Sequence, residues 1–134
     1  MKNILNIGIK FSTMLLTFAT FIACGSPKKV VINVDVFHFD EILKNENVQL
    51  LDVRTESEYK EGHIKGAKNI DVLQTTFASI ATHTLDKKKP VAVYCRSGKR
   101  SARATEVLKS AGFKTYNLLG GFLEWKSNGK SIVQ

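Results

Sequence analysis

The constraint that most limits the fold lies at Val91-Ala92-Val93-Tyr94, an uninterrupted apolar run that stops abruptly at Cys95 and a cationic, glycine-containing loop, Arg96-Ser97-Gly98-Lys99-Arg100. A run apolar at every position suits a strand covered on both faces, which is the situation of a central strand in a parallel sheet. After the loop, Ser101 precedes Ala102, Ala104, Val107, Leu108 and Ala111, spaced as one face of a helix with Ser101 as its N-terminal cap and Gly112 as its stop. Cys95 therefore sits at a strand-to-helix switch. In an open α/β sheet, ligands bind there, beyond the carboxyl ends of the strands. Loop N–H groups and the positive end of the following helix favour an anion at that point, and hence thiolate over thiol.

A cysteine at the end of a core strand is often no more than a small buried hydrophobe. What separates Cys95 from that case is the company of Arg96, Lys99 and Arg100, since a structural cysteine has no use for cations around it. The chain holds two cysteines, Cys24 and Cys95. If Cys24 is consumed by modification, Cys95 is left as the free thiol, and in an oxidising compartment such a thiol is most simply explained by use.

The rest of the chain alternates strand and helix patterns. Val30 to Val34 is expected as a strand, Val36 to Leu43 as a helix capped by Asp35, and Val48 to Val53 as a buried strand. Thr55-Glu56-Ser57-Glu58 fits a capping box opening a short helix that Gly62 ends. Lys68 to Val72 is expected as a strand, Phe77 to Thr82 as a helix, Thr115 to Leu119 as the last strand and Phe122 to Ser127 as a closing helix. This order implies an α/β fold with a parallel sheet of about five strands and helices on both faces.

Three blocks carry a family resemblance. Leu50-Leu51-Asp52-Val53-Arg54, continuing through Glu58-Tyr59 to Gly62-His63-Ile64-Lys65-Gly66-Ala67-Lys68-Asn69-Ile70, is the first. The Cys95 to Ser101 loop is the second, and Gly112-Phe113 followed by Leu118-Leu119-Gly120-Gly121-Phe122-Leu123-Glu124-Trp125 the third. In this order they resemble the rhodanese homology domains, over most of the chain from about Asp35 onward. The resemblance implies a compact three-layer fold over residues 31–134 and sulfur transfer without a cofactor. In that reading Cys95 is the nucleophile that becomes a persulfide. The loop residues Arg96, Ser97, Gly98, Lys99 and Arg100 bind a small anionic sulfur donor such as thiosulfate, and a thiol or protein acceptor removes the sulfur. Phosphatases and arsenate reductases related to this fold use a longer loop, closed by an arginine where this chain has Ser101. A non-catalytic binding module or sulfur-carrier partner is the other alternative, and it requires the Cys95 loop to be misformed or blocked.

Around that loop the remaining signature residues read first as scaffold. Asp52 and Arg54 end a strand two positions apart, so their side chains point to one side and can pair with each other or with loop backbone. His63 suits a hydrogen-bonding role in the turn from Gly62 to Gly66, because a preformed thiolate needs no general base. Ser101 supports the loop from the helix start. No second His or Cys stands at metal-ligand spacing, so no metal site is expected.

The amino-terminal segment reads as targeting sequence. Lys2 and Lys10 precede an uncharged, mostly apolar run from Phe11 to Ala23, shorter than the roughly 20 residues a membrane span needs. Phe21-Ile22-Ala23-Cys24-Gly25 resembles a bacterial lipobox, which implies a signal peptide over residues 1–23, lipidation at Cys24 and a tether over residues 24–30. The expected location is the bacterial cell envelope, anchored to a membrane and facing the periplasm. The net charge of +8 does not point to nucleic acid, because the cations are dispersed apart from Lys87-Lys88-Lys89, which reads as a solvated loop before Pro90.

Overall fold

In the computed structural model, which describes residues 29–134, the alternating segments assemble one five-stranded sheet. Its strands are β1 (Val31–Val34), β2 (Gln49–Asp52), β3 (Lys68–Asn69), β4 (Val91–Tyr94) and β5 (Thr115–Leu118). The helices are α1 (Val36–Leu43), α2 (Glu56–Glu61), α3 (Phe77–Thr84), α4 (Lys99–Ser110) and α5 (Gly121–Ser127). The sheet order is β1-β5-β4-β2-β3, with every pairing parallel. The apolar run of β4 lies at the centre, where each of its four residues is buried.

Because β4 is covered on both sides, its alternate side chains enter two separate cores. Val91, Val93 and Cys95 pack with Leu51, Val53, Phe77, Ala81, Ala104, Leu108 and Phe113 beneath α3 and α4. Ala92 and Tyr94 pack with Val36, Phe39, Leu50, Leu118, Phe122 and Trp125 beneath α1 and α5. The result is the three-layer α/β architecture expected, and each fully buried Val or Leu contributes about 1.5–3 kcal/mol to it.

Short-range chemistry sets the helix ends. The Asp35 carboxylate accepts the Phe37 and His38 N–H groups at 2.9 Å, which caps α1. Thr55 and Glu58 form the reciprocal capping box of α2. Two expectations are corrected. The α4 helix starts at Lys99 rather than after Ser101, because Gly98 takes φ +96° and turns the chain into the helix without a side-chain cap. Ser101 is instead buried in the first turn. The strand expected over Lys68 to Val72 keeps only Lys68–Asn69 as regular ladder, although Ile70 and Val72 still donate backbone bonds to Asp52 and Val53.

Candidate active site

Cys95 is the first residue beyond β4, at the carboxyl end of the central strand, and its side chain is 1% exposed. The loop folds back over it so that the Gly98 N–H points at Sγ from 3.1 Å. Burial alone would push the thiol upward. Hydrogen bonds to sulfur from the Ser101 hydroxyl and from the N–H groups of Ser101, Ser97 and Gly98 outweigh it, and the thiol lies below its ordinary value. The Ser101 hydroxyl also reaches the Gly98 carbonyl at 3.1 Å. With one proton to give, it serves the sulfur once that sulfur is a thiolate.

This geometry gives a pH test. Alkylation of Cys95 by iodoacetamide should follow a titration midpoint below the ordinary thiol range of about 8.5. Ser101→Ala, which removes one of the charge-assisted donors, should move that midpoint upward. An unchanged midpoint would assign the depression to the backbone alone.

The loop is held from behind by α5. Phe122 and Leu123, at the amino end of that helix, donate their N–H groups to the carbonyls of Cys95 and Arg96 at 2.8 and 3.1 Å. Such close approach needs glycine. A Cβ on Gly98 would stand 1.9 Å from the Leu119 carbonyl oxygen, and one on Gly121 would stand 2.5 Å from that of Arg96.

The three cations of the loop part company. Arg96 and Lys99 are exposed. Arg100 turns away to Glu58, its two terminal nitrogens each 2.7 Å from a different carboxylate oxygen. That fork, together with the capping bonds to Thr55, holds the Glu58 carboxyl down to about 2. Sequence reading assigned Glu58 to the capping box and missed its bond to Arg100, which lies 42 positions away.

Asp52 and Arg54 are both buried and do pair. The Arg54 guanidinium binds both Asp52 oxygens at 2.7–3.0 Å and donates to the Gly62 carbonyl at 2.7 Å. Its plane lies over the Phe122 ring, 4.1 Å from the centroid. The pair thereby ties the end of β2, the turn after α2 and the start of α5 into one support. His63 bonds the Tyr59 carbonyl through Nδ1 at 2.9 Å and stacks on the Tyr59 ring, while its backbone pairs with Val133. Arg54, Glu58, Glu61, Gly62, Arg96, Phe122 and Leu123 line a small cleft of about 130 Å³ beside the loop. A larger cleft of about 520 Å³, between Tyr59 on α2 and Ile80 on α3, contains no residue of the Cys95 loop. Cys24 lies outside the described residues.

A thiol in an N–H cradle at the carboxyl end of β4 is one finding, and the agreement of the chain with known proteins is another. The rhodanese-like domain family matches residues 38–128. The chain belongs to that family. Among curated relatives, the rhodanese-like chain is 42% identical over 78 residues to the uncharacterized protein YqhL of Bacillus subtilis, covering 58% of this chain and 60% of YqhL. It is 36% identical over 89 residues to thiosulfate sulfurtransferase GlpE of Coxiella burnetii, covering 66% of this chain and 80% of GlpE. The crystal structure of a rhodanese-related protein from Thermoplasma volcanium superposes with a TM-score of 0.64 at 28% identity, over 76% of this chain and 97% of that one. Of these three proteins, GlpE is the one named as a sulfurtransferase.

Proposed function

We propose that this rhodanese-like domain is a sulfurtransferase that carries sulfane sulfur on Cys95, with thiosulfate or a similar anion as donor. The observation that carries the reading is the buried Cys95 sulfur, aimed at by N–H groups and held below its ordinary pKa. The Cys95 thiolate attacks the outer sulfur of the donor. The donor S–S bond breaks, sulfite leaves with the electron pair, and a Cys95 persulfide remains. An acceptor nucleophile then bonds to the terminal sulfur, the persulfide S–S bond breaks, and the thiolate is regenerated. The cradle N–H groups, together with the start of α4, stabilise the charge on the persulfide. Lipidation at Cys24 places the domain at a bacterial envelope membrane.

Intact mass after exposure to thiosulfate tests the reading: a gain of one sulfur atom, removed by cyanide, is expected. No gain in a folded protein would leave the loop a binding surface. Arg96 and Lys99, exposed beside Cys95, should attract the donor. Alanine at either should raise KM for thiosulfate with little change in kcat, and added salt should shrink the effect, since exposed charges are screened over about 8 Å at physiological ionic strength. Arg100→Ala should instead lower kcat at saturating donor, because it frees the loop from Glu58. Equal, salt-independent losses in all three variants would overturn this division of labour.

A further inference from the structure

Five lysines from three separate segments meet at one end of the sheet, because β1, β4 and β5 are parallel and start there in register. Lys29 precedes β1, Lys87, Lys88 and Lys89 precede β4, and Lys114 precedes β5. Backbone bonds join these segments: Thr115 N–H donates to the Val30 carbonyl at 2.9 Å and Val91 N–H to the Lys114 carbonyl at 3.0 Å. The side chains of Lys29 and Lys87 flank Gly112, each within 3.9 Å of where its Cβ would stand. Lys29, Lys87, Lys88 and Lys89 are exposed and Lys114 half-buried. None of the five takes part in an ion pair among the described residues. Asp86 and Glu46 lie at the same end, so a surplus of positive charge remains after both are counted.

The polypeptide enters the domain at this pole. Cys24 precedes Lys29 by five residues, a chain length that reaches at most about 18 Å. Cys95 lies at the opposite pole, across strands of four residues at about 3.3 Å each.

We propose that the lysine pole is a membrane-contact surface that rests on anionic phospholipid headgroups, orienting the domain so that the Cys95 loop faces away from the bilayer. The proposal rests on the reading of Cys24 as a lipid anchor, which brings the pole within reach of a bilayer. Each lysine near an anionic membrane surface strengthens binding, and several together complement an acyl anchor. A protein or nucleic-acid partner is disfavoured by position, since the charge surrounds the point where the tether enters.

The test uses the full chain with Cys24→Ser, and vesicles of phosphatidylcholine alone or of phosphatidylcholine with phosphatidylglycerol as the minor component. The readout is the ratio of the two partition coefficients, in which the apolar contribution of residues 11–23 cancels. Lys88→Glu/Lys89→Glu should lower that ratio about tenfold or more. Lys65→Glu/Lys68→Glu, on the β3 side of the sheet, changes net charge equally and should alter it less than about twofold. Equal losses from both pairs would reduce the effect to net charge and overturn the proposal. Tighter binding to duplex DNA than to the anionic vesicles would overturn it as well. In vesicles carrying the lipidated chain, a membrane-impermeant maleimide should label Cys95 as fast as in detergent; protection of Cys95 would put the wrong pole on the membrane. The intact mass of Cys24 reports the anchor separately, so an unacylated Cys24 overturns the anchor reading whatever the vesicles show.

Discussion

Replacing Cys95 with serine is expected to leave the chain folded and devoid of sulfur transfer. The side chain is buried in a closely packed layer with Val93, Ala104 and Leu108, and serine is smaller than cysteine by a fraction of an ångström at one atom. The same N–H groups that point at the sulfur can serve a hydroxyl, so no buried donor is orphaned. Chemistry separates the two residues. A hydroxyl keeps its proton at neutral pH and cannot accept sulfane sulfur to form a persulfide, so no residual route through this position exists. Thiosulfate-to-cyanide turnover should fall to the uncatalysed background, the mass gain with thiosulfate should vanish, and the thermal midpoint should shift by no more than a few degrees. Retained turnover would relocate the sulfur carrier and sink the mechanism.

The second large effect belongs to stability. Arg54→Leu removes the partner of a carboxylate that is fully buried, leaving Asp52 with the Arg54 backbone N–H and no countercharge. Breaking a buried pair on one side costs about 3–5 kcal/mol, because the remaining charge cannot regain its water. Against a total of about 5–15 kcal/mol for a domain, that is enough to lower the urea midpoint severely. The Gly62 carbonyl also loses its donor, and Phe122 loses the guanidinium over its ring. Adding Asp52→Asn should recover part of the loss by removing the stranded charge. A single-variant loss under about 1 kcal/mol would mean that water reaches Asp52.

Where an element depends on neighbours a few residues apart, it was legible before any folding. The burial of β4 shows in four consecutive apolar residues, the Asp35 and Thr55 caps show in residue type and spacing, and the stop of α4 shows at Gly112. The nucleophile candidate was legible for the same reason, since a cysteine at the strand end and a glycine in the loop that follows are local facts. Even so, local spacing misplaced the start of α4. Ser101 has the side chain of a cap, yet the left-handed turn at Gly98 had already opened the helix, and that turn is fixed by the Leu119 carbonyl pressing where a Cβ would be.

The remaining features come from segments that only packing brings together. Arg100 looked like a third donor-facing cation until α2 placed Glu58 against it. The N–H groups of α5 that brace the Cys95 and Arg96 carbonyls could not be assigned from the Gly120-Gly121 pair alone, because that contact requires β5 to deliver α5 beside β4. In one dimension Lys29 and Lys114 read as scattered charges and Lys87-Lys88-Lys89 as a solvated loop. Parallel pairing puts the starts of β1, β4 and β5 at one end of the sheet, so the same residues form a basic pole opposite Cys95. Periodicity and capping are short-range and survive in the order of residues; charge clustering and the bracing of a loop are long-range, and exist only once the strands have chosen their neighbours.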